Sequence, residues 1–171
     1  MSYNVFAYQV NAEKIKSIWG SNDMVFLDLL LSEYKEEVEE QLEWFELDID
    51  TYKIHLKDII KGKITNDDNN YIYGYIYELL CKKFGTMIES DEFMSYLEDV
   101  TESNHKAFIP IPKNDDWPEF YSIYFNELED ARQEFMNNKN EYAKADHYIE
   151  EVNKIFDSAL KNKNDLVFFG Y

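Results

Sequence analysis

Two segments at opposite ends of the chain restrict the fold more than any other feature. Tyr3 to Val10 is rich in β-formers and places Phe6, Tyr8 and Val10 on one face at period two, the alternation of a strand. At the other end Asp165 leads into Leu166, Val167, Phe168, Phe169, Gly170 and Tyr171, which read as a closing strand. Helical periodicity dominates between them, so the two ends are expected to contribute to one small sheet packed against several helices. The expected class is α+β, helix-rich, with a small mixed sheet whose strands lie near both termini.

Caps and stops place the helices. Asn11 offers an N-cap, Ile15, Ile18 and Trp19 keep helical spacing, and Gly20 can supply a left-handed stop, giving a short helix over about 12–19. Ser21 or Asn22 is expected to cap one long helix carrying Leu27, Leu30, Leu31, Tyr34, Val38, Leu42 and Phe45. From Tyr52 to Ile60 strand and helix periods compete, and the Leu56, Ile59, Ile60 spacing before Gly62 tips the reading to a short helix. After a polar loop from Thr65, Asn70 is expected to cap the most buried helix, with Ile72, Tyr75, Ile76, Leu79, Leu80 and Phe84, stopped by Gly85. Ser90 opens another helix with Phe93, Tyr96, Leu97 and Val100 inward.

Pro110 and Pro112 hold Phe108 to Pro112 extended and confine it to an edge strand or a strand-like loop. Phe120 to Phe125 suits a strand, although a helix starting at Pro118 competes, and Asn126 is a candidate cap for a helix through Phe135. Tyr142 to Leu160 reads as a last amphipathic helix.

A chain of 171 residues without a low-complexity divider is expected to form one domain, 1–171, with core enough to fold without metal or disulfide. Cys81 is the lone cysteine, the start lacks a secretory pattern, and no apolar run approaches membrane-spanning length. Cytoplasm is the expected location. Lys+Arg number 17 against 35 Asp+Glu, a formal charge of −18 that opposes direct binding to nucleic acid or anionic lipid and favours cations or basic proteins. Arg132 is the single arginine, so guanidinium recognition of an anion can occur at one place at most.

The opening SYNVFAYQV followed by Lys14-Ile15 and Gly20-Ser21-Asn22-Asp23, the central YGYIYELLCKKFG and the terminal DLVFFGY together resemble an uncharacterised family of small bacterial proteins, a domain of unknown function. More loosely, the order of strand, helices, short strand before a helix and last strand after a long helix looks like that of YfbM-like proteins. The resemblance spans nearly the whole chain and implies a fold; it implies no established reaction and no catalytic residues. The stretch from Asn137 to Asn140 and the acidic helix are particular to this chain.

Catalytic and metal motifs are sparse. His55, His105 and His147 lack zinc spacing, and His147 with Glu150 and Glu151 reads more simply as a solvated helix face than as a metal surface. Asp67, Asn69, Tyr71, Tyr73 and Glu78 match some calcium-loop spacings, but Ile72 stands where the sharp turn needs glycine. Cys81 sits among apolar neighbours, the setting of an inert thiol. There is no GxSxG, phosphate-binding or dinucleotide motif, so neither a catalytic residue nor a cofactor is expected. Tyr71, Tyr73, Tyr75 and Tyr77 cannot share one helical face, so some are expected at a surface.

The sharpest feature is an acidic run: Glu33, Glu36, Glu37, Glu40, Glu43, Asp48 and Asp50 form the expected partner-binding set, with Glu39 and Glu46 interleaved and Lys35 the one base among them. Carboxylates three or four residues apart on a helix repel, so local stability does not explain their concentration, while a solvated face remains the plain alternative. The leading expectation is a non-enzymatic acidic domain that binds a basic protein, of the immunity or antitoxin type, acting on a basic toxin such as a nuclease. Two alternatives stand beside it: a small-ligand or enzymatic site assembled from His105, Trp117, Glu119 and Tyr121, and a housekeeping scaffold domain whose acidity serves solubility. Oligomeric state is not legible.

Overall fold

A computed structural model describes residues 5–65, 68–89, 106–113, 118–137 and 146–171. Its strands are β1 (Val5–Val10), β2 (Gly85–Ile88), β3 (Glu119–Ile123) and β4 (Asp165–Gly170). Its helices are α1 (Ala12–Ile18), α2 (Met24–Glu33), α3 (Lys35–Trp44), α4 (Ile49–Lys61), α5 (Tyr71–Phe84), α6 (Leu128–Met136) and α7 (Asp146–Asn162). A 3-10 turn, Phe125–Glu127, leads into α6. The architecture is a helix-rich α+β fold.

The sheet runs β2-β1-β4-β3 with antiparallel neighbours throughout. The two chain-end strands form its centre, paired from Val5↔Gly170 to Val10↔Asp165. Alternation sends Tyr8, Val10, Phe120, Val167 and Phe169 to one face, and Val5, Ala7, Ile123, Leu166 and Phe168 to the other. Both faces are covered, which is why Leu166 to Phe169 is one unbroken apolar run. On the first side α5 packs on β1, and Ile15 of α1, Leu30 of α2 and Leu56 and Ile59 of α4 complete the same core. The second receives Leu128 and Phe135 of α6 and Val152, Ile155, Phe156 and Ala159 of α7.

Local chemistry sets the helix ends. Asn11 Oδ1 accepts the Lys14 N–H at 3.0 Å to start α1. Asp23 starts α2, its carboxylate accepting from Val25 and Phe26 at 3.1 Å, so the cap falls one residue beyond the expected Ser21 or Asn22. Gly20 and Gly62 both adopt positive φ, and a Cβ on Gly62 would come within 3.0 Å of Gly20 Cα. That close approach joins the α1–α2 turn to the end of α4, where Gly20 and Asn22 N–H groups donate to Ile59 and Ile60 carbonyls at 3.1 and 2.9 Å.

Several expectations are redrawn. The long helix from the twenties to Phe45 is broken at Tyr34 into α2 and α3, although no Gly or Pro marks the place. The 52–60 segment is helical, as the Leu56, Ile59, Ile60 spacing indicates. Gly85 does not stop α5 in a left-handed turn; it is extended (φ −154°) and begins β2, a strand the sequence did not announce. Of the four tyrosines of α5, Tyr71 is half-buried and Tyr73, Tyr75 and Tyr77 are buried, because α5 packs on the sheet and under the neighbouring helices. Phe108 to Pro112 is a strand-like loop along the β3 edge, reached by a lone parallel bridge between Lys106 and Tyr121. The helix expected from Ser90, and the start of the last helix before Asp146, lie outside the described residues.

Candidate functional site

α3 carries the acidic run beside a groove. Glu36, Glu40 and Glu43 stand at i, i+4, i+7 along one exposed stripe, and Glu37, Gln41 and Trp44 form the adjacent stripe. Trp44 is 82% exposed, an indole held out of the core on the most acidic of the described helices. Glu36 and Glu37 lie in the first turn, where the helix dipole favours anions; Glu43 lies in the last turn, where it does not. Among the described residues Glu36, Glu40 and Glu43 make no ion pair, whereas Glu39 meets Lys35 at 3.5 Å.

The groove beside α3 has a volume of about 900 Å³ and is walled by Phe6, Trp44, Tyr75 and Tyr171, with Glu37, Glu40, Glu43 and Glu78 among its polar groups. Its rings form a chain of contacts: Phe6 to Tyr171 and Tyr171 to Tyr75, each at 5.9 Å between centroids. Phe45 extends the series to Tyr75 at 5.1 Å. Glu78 of α5 is 6% exposed; its Oε1 accepts the Tyr8 hydroxyl at 2.7 Å and its Oε2 accepts the Tyr171 hydroxyl. Lys82 lies 3.6 Å from Glu78 and 3.8 Å from Glu37. Burial, then the nearby Glu78 charge, pushes the Tyr8 and Tyr171 phenols well above the ordinary tyrosine range. Both therefore stay protonated donors to Glu78 at neutral pH.

The structure sorts the seven expected partner-binding residues. Glu36, Glu37, Glu40 and Glu43 come together on α3, and Glu37, Glu40 and Glu43 border the groove. Glu33, at the end of α2, pairs with Lys83. Asp48 serves the fold instead, capping α4 by accepting from the Thr51 backbone at 2.8 Å and from its hydroxyl at 3.1 Å, and these bonds hold its carboxyl below the usual range. Asp50 is exposed in the first turn of α4.

The remaining candidates separate. His55 is buried, its Nδ1 2.8 Å from the Thr51 carbonyl and its ring against Tyr73. His147 and Glu150 are exposed on α7, while Glu151 is buried with Lys154 3.8 Å away. Burial, then Glu78, pushes the Cys81 thiol well above its ordinary value. Glu119 and Tyr121 sit on β3, and His105 and Trp117 lie outside the described residues. No group of three or more metal-ligating side chains gathers among the described residues, and no helix there is long and apolar enough to cross a membrane.

Sequence reasoning missed the groove because Tyr8, Glu78 and Tyr171 are far apart in the chain and meet only through the β1–β4 pairing and α5. Trp44 carried a readable signal: it falls off the apolar spacing of Val38, Leu42 and Phe45.

A central antiparallel sheet with helices on both faces, and an acidic helix flanking an aromatic groove, define a helix-rich α+β domain. The chain belongs to the family described as Domain of unknown function (DUF7691), whose model matches residues 1–171. No curated protein and no solved structure was found to match it.

Proposed function

We propose that this protein is a non-enzymatic, acidic protein-binding domain of the immunity or antitoxin type, working in the cytoplasm, that uses α3 to cover a basic toxin. The observation that carries the reading is Trp44, 82% exposed, next to Glu43 and one turn from Glu40 on the helix that also bears Glu36 and Glu37. A solvated face explains carboxylates, but an indole left in water gives away apolar burial and suits the centre of an interface. The formal charge of −18 adds long-range attraction for a cationic partner.

Capture from the host at low and high salt tests this reading. Basic proteins should be retained at low salt and released at high salt, and the Glu36→Lys, Glu37→Lys, Glu40→Lys triple variant, checked for folding by circular dichroism, should retain none of them. Retention of the same proteins by the triple variant would remove α3 as the docking surface.

A further inference from the structure

We infer that the groove beside α3 seats an arginine side chain projected by the basic partner chain. This deepens the acidic-face reading and rests on it, adding the identity of the anchoring group. Four carboxyl groups line the groove against one ammonium, Lys82: Glu78 is buried and holds the Tyr8 and Tyr171 hydroxyls, Lys82 lies within 4 Å of Glu78 and Glu37, and Glu40 and Glu43 have no ion pair among the described residues. An anion is repelled there, and a neutral apolar ligand would desolvate Glu37, Glu40 and Glu43 without replacing their water. A cation is what this lining complements.

The walls choose between cations. Phe6, Tyr171 and Tyr75 stand in contact as a chain of rings, half-buried at Phe6 and Tyr171 and buried at Tyr75, and Trp44 adds an exposed indole at the α3 side. A guanidinium is planar and weakly hydrated, so it stacks on ring faces while its fork of N–H donors reaches carboxylates; an ammonium is a compact, strongly hydrated point charge. Arginine satisfies both parts of the lining at once. The volume, about 900 Å³, is that of a site for a drug-sized ligand, with room for flanking backbone as well as one side chain. The groove also shares Glu40 and Glu43 with the exposed α3 stripe, so a chain lying along α3 can turn a side chain into it.

Calorimetric titration with a short glycine-spaced arginine peptide, its lysine twin of equal charge and its uncharged citrulline twin tests this. The arginine peptide should bind about threefold to tenfold more tightly than the lysine twin, and the citrulline peptide should not bind measurably. Trp44→Ala, and separately the Glu40→Gln, Glu43→Gln pair, should each weaken arginine binding by about tenfold. The charge-matched Glu129→Gln, Glu150→Gln pair on α6 and α7 should leave it unchanged. Equal binding of the arginine and lysine peptides, indifferent to Trp44→Ala, overturns the groove while leaving the acidic face standing. An equal loss in the control pair would mean that net charge and not α3 carries the binding, and overturns the groove and the acidic face together. Failure of both cationic peptides to bind overturns the groove and the acidic-face reading together.

Discussion

The Tyr77 hydroxyl sits 2.7 Å from Ser122 Oγ and accepts the Phe108 N–H at 3.1 Å, a buried polar junction between α5, β3 and the proline-bearing loop. Tyr77→Phe leaves Ser122 and the Phe108 N–H without that oxygen, an expected loss of about 1–3 kcal/mol in chemical denaturation; a loss near zero would mean that the junction relaxes. Gly85 is fixed by space, since a Cβ there would lie 2.3 Å from the Gln9 carbonyl oxygen and 2.6 Å from Val10 Cγ1. Gly85→Ala should therefore cost about 1–3 kcal/mol, readable as a lower denaturation midpoint. The sequence shows a glycine at this place but not its reason: helix stop and close strand approach call for the same residue, and the difference is a contact with β1, some 75 positions away.

At the scale of elements, caps and periodicity were readable where they act locally. Asn11 before Ile15 and Ile18, and Gly62 after Ile59 and Ile60, mark the ends of α1 and α4 as the structure has them. The break at Tyr34 and the strand β2 were not legible, since the first lacks a breaker and the second is short and half-exposed, held by pairing to β1. α5 misleads for a related reason: amphipathic logic assumes one wet face, and every residue of this helix from Ile72 to Cys81 is buried, with only Tyr75 and Glu78 reaching the groove.

α3 offers the contrast, a helix whose later carboxylates, Glu40 and Glu43, stand among like charges and away from the favourable end of its dipole. Glu43 sits near the carbonyl end of the dipole and among like charges, so Glu43→Gln should raise thermal stability slightly, by about 0.3 kcal/mol, while weakening partner binding. Opposed signs of that kind mark a residue kept for recognition rather than folding. Loss of stability with unchanged binding would mark it as structural instead.

Over the whole molecule, burial and then neighbouring charge raise the phenols of Tyr8, Tyr52 and Tyr171 above the ordinary range, and burial with the Cys81 neighbour does the same for Tyr77. In an unfolded chain tyrosines ionise near pH 10. Above that pH the folded state holds protons that the unfolded state has lost, so stability is complete below about pH 10 and falls as pH rises past it. Tyrosinate absorbance should accordingly rise in two stages, the second coinciding with loss of the circular dichroism signal; smooth ionisation of all 14 tyrosines before any unfolding would contradict that burial. That the two chain ends supply strands to one sheet was legible from the period-two alternation of Phe6, Tyr8 and Val10 and from the unbroken apolar run Leu166 to Phe169; that they pair with each other at its centre was not. The groove was not, because it exists only after β1, α5 and β4 have packed.

The central claim is that carboxylates gathered on α3 draw in a positively charged chain, and the association rate constant of a captured basic partner, followed by stopped flow across a salt series, tests it most directly. The parent should associate fast at low salt and slow steeply as salt rises, and the Glu36→Lys, Glu37→Lys, Glu40→Lys variant should be slower by about tenfold or more at low salt with a flattened dependence. Equal rates for the two proteins at low salt would contradict the account.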